Sequence, residues 1–165
     1  MEFNLSITRR LHEEHAATLT LWSRLEQLLT GRGAQWPPSA GDAASACLRE
    51  CANALAQDVS AHFAFEEAQL FPRLEDGGEG DIAELLAEEH GAIREAAARF
   101  ADPQAHAARS ELDEAGWRSL KTLALELVER LVSHVQKEEM SLLPALEDLI
   151  NDDEDRELIT EYSMG

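Results

Sequence analysis

His62-Phe63-Ala64-Phe65-Glu66-Glu67 returns 72 residues later as His134-Val135-Gln136-Lys137-Glu138-Glu139. The echo runs on, with Leu70, Pro72, Leu74, Glu75 and Asp76 recurring as Leu142, Pro144, Leu146, Glu147 and Asp148. A second echo pairs Leu11-His12-Glu13-Glu14-His15-Ala16-Ala17 with Leu86-Ala87-Glu88-Glu89-His90-Gly91-Ala92. The chain therefore reads A-B-A′-B′. Each A carries Leu-x-x-Glu-His and each B carries His-x-x-x-Glu. Filling a core with apolar side chains gives no reason to repeat histidines in this order. A metal site drawn from four helices does.

The punctuation between the motifs predicts four long helices. The first runs from about Ser6 to Thr30 and stops at Gly31-Arg32-Gly33. Trp36-Pro37-Pro38 reads as a rigid connection. The second opens at Ser39, with Asp42 three residues on, and reaches about Leu74, where Pro72 kinks or ends the last turn. A turn follows at Asp76-Gly77-Gly78-Glu79-Gly80. The third helix opens at Asp81, with Glu84 as capping partner, and ends before Pro103. The fourth opens near Ser110 and reaches Pro144 or Ile150. Few segments alternate with period two, so strands are not expected. The reading is all-α, an up-down-up-down four-helix bundle over residues 1–150, followed by an acidic C-terminal tail over 151–165.

Adjacent antiparallel helices must present their ligands at one height. Measured along each helix, His15, the His62/Glu66 pair, His90 and the His134/Glu138 pair all fall roughly 13–21 Å from the same end of the bundle, at about 1.5 Å per residue. Residues i and i+4 share a face, so His62 pairs with Glu66 and His134 with Glu138. Imidazole and carboxylate together suit iron, manganese or zinc. A carboxylate has two oxygens and can bridge two metals. Four histidines and two carboxylates thus describe a dinuclear site, bridged by Glu66 and Glu138, with about two histidines on each metal and positions left open. A ferritin-like bundle would instead require Glu-x-x-His, and no histidine here has Glu three residues before it.

The ordered motifs Glu14-His15, His62-x-x-x-Glu66 with Glu67, Leu70, Phe71 and Pro72, Glu89-His90, and His134-x-x-x-Glu138 with Glu139, Leu142, Leu143 and Pro144 resemble the hemerythrin-like family, the cation-binding HHE domain. The resemblance covers roughly residues 6–150. It implies two iron ions in a non-haem diiron centre with an oxo or hydroxo bridge, held by His15, His62, Glu66, His90, His134 and Glu138. Oxygen-carrying members of the family have a second histidine four residues after that of the third helix, where this chain has Arg94. They also space the last histidine and its aspartate by five, where this chain has Glu138 at four. The pattern is closer to the four-His, two-Glu branch. That branch is associated with iron-centre repair, sensing, iron handling and peroxide chemistry, and the leading expectation is a diiron-binding protein that senses or handles oxygen, nitric oxide or iron. The alternatives are a diiron enzyme that acts on peroxide in a catalase-like way or oxidises ferrous iron, an iron-centre repair protein, and a metal-free helical interaction module. The cysteine-containing N-terminal extension of repair proteins is not found.

Net charge at pH 7 is −19. Such a surface repels nucleic acid and anionic lipid, so neither is expected as a partner. The expected partners are a small diatomic ligand or peroxide, together with a protein partner if the role is sensing. Oligomer formation stays open. With no apolar run of membrane-spanning length and no signal-like start, the expected location is cytoplasmic. Much of the acidity lies in the tail, which reads as a solvated, partly disordered end. His12, one turn before His15, reads as a non-ligand because the repeat places Ala87 opposite it. His106 reads as a solvated residue of the connection after Pro103. Cys47, Cys51 and Trp22 read as core, and Phe63, Phe65 and Phe71 as packing.

Overall fold

The computed structural model describes residues 2–31, 38, 42–108 and 111–165, with the backbone alone at 104 and 106–108. Helix α1 is Ser6–Thr30. Helix α2 is a continuous helical run over 43–76, in which two wide turns, Asp58–His62 and Glu66–Leu70, interrupt the α-helical spacing. Helix α3 is Gly80–Ala108. Helix α4 runs over 114–149 with one wide turn at Glu138–Leu142. Helix α5 is Asp152–Met164. Each of the first four packs on its two neighbours around a closed square. Leu11 near the start of α1 shares one apolar cluster with Leu74 near the end of α2, Leu86 near the start of α3 and Leu146 near the end of α4. Helix direction therefore alternates. Gly78, at φ 87°, makes the reversal between α2 and α3 in a conformation costly for a side chain with a Cβ.

Two apolar clusters fill the bundle. One gathers Trp22, Leu25, Leu29, Cys47, Cys51, Leu55, Phe100, Leu127 and Leu131, so the two cysteines are free, buried core thiols. The other holds Ile7, Leu11, Leu70, Leu74, Leu142 and Leu146. Between them lies a polar layer, because His15, His62, His90 and His134 each follow one cluster and precede the other along their helices.

The wide turns explain why the helices outlast their prolines. Phe71 N–H donates to Glu66 O and Leu143 N–H to Glu138 O, each five residues back. Pro72 and Pro144, the next residues, have no N–H to place and would clash with a carbonyl four back in a tight α-helix. A turn already widened just before the ring relieves that conflict, and wide turns of this kind are frequent at functional sites. Pro103 corrects the expected boundary of α3. The helix continues through it to Ala108, giving up one backbone bond. Helix α4 begins at Glu114, where the Asp113 side chain accepts from Gly116 N–H. Ser39, Arg32-Gly33, Trp36-Pro37 and Ser110, and the side chain of His106, lie outside the described residues.

The acidic tail is the larger correction. Residues 152–164 form a helix docked on the bundle rather than a solvated end. Asn151 caps it in a reciprocal capping box with Glu154. Leu158 is buried in the cluster that holds Ile7, Leu11 and Leu146. Asp155 is buried too, and its carboxylate accepts from Ser6 N–H at 2.8 Å and Ile7 N–H at 2.9 Å. Helix α1 lacks a capping side chain of its own. The tail thus supplies the acceptor and the negative charge that the orphan N–H groups of a helix start require. Asp155→Ala should cost about 1–2 kcal/mol, read as a fall of a few degrees in the thermal midpoint. An unchanged midpoint would show that this contact contributes nothing.

Candidate metal centre

All six residues singled out in the sequence converge. His15, His62, Glu66 and Glu138 bring donor atoms within 4.8 Å of one another, and so do Glu66, His90, His134 and Glu138. The two groups share both glutamates. Glu66 lies 2.8 Å from His62 Nε2 through Oε1 and 3.2 Å from His90 Nε2 through Oε2. Glu138 lies 2.8 Å from His15 Nε2 through Oε2 and 2.7 Å from His134 Nε2 through Oε1. Each carboxylate therefore turns one oxygen to each histidine pair. Glu66 and Glu138 are 0 % and 1 % exposed.

The orientation of the rings is set by a second set of glutamates. His15 Nδ1–H donates to Glu139 at 2.6 Å, His62 to Glu14 at 3.1 Å, His90 to Glu67 at 2.9 Å and His134 to Glu89 at 2.9 Å. The ring closes around the bundle: α1 serves α2, α2 serves α3, α3 serves α4 and α4 serves α1. Its local cause is simple. A residue adjacent to an inward-pointing one is turned about 100° round the helix, toward the neighbouring helix. Burial raises the pKa of Glu14, but hydrogen bonds from His62, Tyr162 and Arg10 outweigh it and hold the carboxyl at about 2. Burial likewise raises Glu89 and Glu139, and their hydrogen bonds, led by Lys137 and His15, bring both below the usual carboxylate range. Glu67 is lowered chiefly by Arg94. Ionised carboxylates only accept, so each ring carries its proton on Nδ1 and presents Nε2 inward.

That polarity tests whether the residues fit a metal. His90 Nε2 and His134 Nε2 stand 3.1 Å apart. With both Nδ1 atoms protonated, this contact is a hydrogen bond only when one ring is charged and the other neutral; two neutral rings or two charged rings repel there. A cation between them removes the conflict. His15 Nε2, both oxygens of Glu66 and Glu138 Oε1 are also buried without a hydrogen bond among the described residues, although His15 Nε2 lies 2.8 Å from Glu138 Oε2 and Glu66 Oε1 lies 2.8 Å from His62 Nε2. They converge without a well-directed hydrogen bond. Buried polar atoms so arranged are costly unless something binds them. The donor set fits a metal ion.

Without metal, protons take its place. Burial lowers His15 and His90, but facing carboxylates, Glu138 first, raise both to about 9. His62 and His134 are raised against burial as well, chiefly by Glu66 and Glu138 respectively. Despite burial, Glu138 is held far below its usual range by the facing histidine rings, His134 first, then His15 and His90.

The outer carboxylates are themselves held. Arg94, in the position where a fifth histidine would stand, grips both oxygens of Glu67 at 2.6 and 2.9 Å. Lys137 holds Glu89. His12 is 51 % exposed, lies 2.8 Å from Glu139 and is not among the converging donors. Glu14 is held by Arg10 and by the hydroxyl of Tyr162. Phe63 stacks on His90 at 3.9 Å, and Phe71 lies 5.3 Å from the same ring. The roles of Glu14, Glu67, Glu89 and Glu139 were not read from the sequence. Their signal was the glutamate next to a converging residue in all four motifs. Tyr162 gave no signal at all.

Among the described residues, no helix is long and apolar enough to cross a membrane. No curated protein matches the chain. The family model described as the hemerythrin HHE cation binding domain matches residues 6–146, and matches again over 81–163, a stretch that opens with α3 and includes α5. The match spans most of the chain, and the fold and clustered histidines and glutamates accord with it: the chain belongs to the hemerythrin family of HHE cation-binding domains and is a metal-binding member of it.

Proposed function

We propose that the chain holds a non-haem diiron centre of the four-His, two-Glu kind and senses or handles oxygen, nitric oxide or iron. The observation that carries this is the sharing of Glu66 and Glu138 between two histidine pairs, because a carboxylate facing both ways suits two adjacent metal ions. His15 and His62 would hold one, His90 and His134 the other. Bound iron would supply redox chemistry and open positions for a small ligand. The chain's own part is to orient and protect. Glu14, Glu67, Glu89 and Glu139 fix the imidazoles, and the apolar clusters on both sides exclude water.

Arg94 commits its guanidinium to Glu67, so no fifth nitrogen comes from α3. The two sides then receive equal numbers of histidines, which favours two-electron chemistry over storage of oxygen. The same equality keeps the enzymatic alternative in view, and rapid oxygen evolution from added peroxide would favour it. Reconstitution with ferrous iron under anaerobic conditions should give close to two irons per chain by elemental analysis. A reproducible value of one or zero would sink the dinuclear reading. Exposure of that sample to oxygen, followed by purging, should leave the diferric spectrum unchanged. An oxygenated spectrum that vanishes on purging and returns on re-exposure would instead identify a reversible carrier.

A further inference from the structure

The internal repeat shows what is peculiar about the His62 arm. In the second half, Lys137 stands three residues after His134 and holds Glu89, the acceptor of that histidine. The matching position in the first half, three after His62, is Phe65, which can hold nothing by hydrogen bond. Glu14 nevertheless has a partner reaching in from that side. Tyr162, from α5, packs its ring on Phe65 at 4.6 Å, donates its hydroxyl to Glu14 and brings its oxygen within 3.3 Å of His62 Nδ1. Arg10 also pairs with Glu14, but from an exposed site where an ion pair contributes little.

The space beside the two arms differs in the same sense. A cavity of about 490 Å³ is lined by Glu14, His62 and Tyr162. Its counterpart by the repeat, about 350 Å³, is lined by Glu89 and Lys137 and does not reach His134. Asp58 and Ala61 in the first answer to Arg130 and Ser133 in the second. The His62 arm thus borders open space on the side where Tyr162 stands.

We propose that Tyr162 is a positioning residue of the centre: it holds Glu14, and through Glu14 the imidazole of His62, in the role that Lys137 plays for His134. Helix α5 is then part of the metal site, and only the metal held by His15 and His62 depends on it. This rests on the diiron reading. The test is anaerobic release of ferrous iron from the loaded full-length chain to an excess of a colour-forming chelator. Tyr162→Phe keeps the ring and removes only the hydroxyl. It should speed release of one iron about tenfold, the lower end of the range for outer-shell partners, and leave the other at the wild-type rate. Lys137→Met should do the same to the other iron. Adding Phe65→Lys to Tyr162→Phe should restore the slow rate by placing a lysine where the second half has one. The metal-free midpoint should not move in Tyr162→Phe. Wild-type release from Tyr162→Phe, while Glu14→Gln accelerates it, would overturn the proposal. So would equal acceleration of both irons with a lowered metal-free midpoint, which marks general loosening. A wild-type chain that never binds two irons would fail the diiron reading itself, before any variant is compared.

Discussion

Glu138→Ala should release metal from both halves of the centre, with apparent affinity falling more than about 100-fold, beyond the 10–100-fold typical of outer partners. Its carboxylate is fully enclosed and turns one oxygen to His15 and the other to His134. No neighbouring side chain can take over both directions. Glu66→Ala should behave alike, since it stands between His62 and His90 in the same manner. Glu139→Ala and Glu67→Ala should weaken binding within the outer-partner range, because each frees a ring to rotate but leaves the donors in place. Metal content after dialysis against graded chelator measures all four. If Glu139→Ala proved as damaging as Glu138→Ala, the converging role would belong to the residue five after His134, as in the oxygen carriers.

Stripping the metal should lower the thermal midpoint by an amount that grows with pH. At a free metal concentration a hundred times the dissociation constant, one site contributes about 2.7 kcal/mol. At roughly 2–4 °C per kcal/mol for a chain of this size, that is roughly 5–11 °C. The metal-free protein carries His15 and His90 with pKa raised to about 9, against the ordinary 6.5. A raised folded-state value means that the fold favours the protonated ring. Its contribution is fully present below pH 6.5 and is lost as pH climbs toward 9. The metal-bound protein has already given up those protons and does not share the loss. Midpoints with and without metal should therefore diverge between pH 6.5 and 9. A constant gap across that range would mean that the histidines are neutral in the metal-free fold.

The bundle and its six converging residues were legible because they obey rules that run along one helix. The i, i+4 spacing, the repeat, and the counting of residues from each helix end all survive without knowledge of packing. What was hidden lies between helices. Nothing local in Glu67 says that it accepts from His90 of α3 rather than pointing to water, since neighbouring exposed glutamates look the same. The closed ring becomes visible only when the four helices stand side by side. Helix α5 was misjudged for a related reason. Asp155, in the run Asp152-Asp153-Glu154-Asp155, has the composition of a solvated end, and only the uncapped start of α1 gives it a buried use. Pro103 was given too much weight as a breaker, whereas Pro72 and Pro144 are accommodated by widened turns that no residue preference announces.

The layer of histidines between two apolar clusters also has a kinetic side. Residues up to 76 contribute His15, His62 and Glu66, and residues from 80 onward contribute His90, His134 and Glu138. Neither pair of helices owns a complete set. A chain still half assembled offers incoming metal only fragments of a site, so tight capture waits until the distant pairs have met. The reverse also holds. Two metal ions bound there would tie one helix pair to the other, so holding metal and holding the bundle closed would become one task.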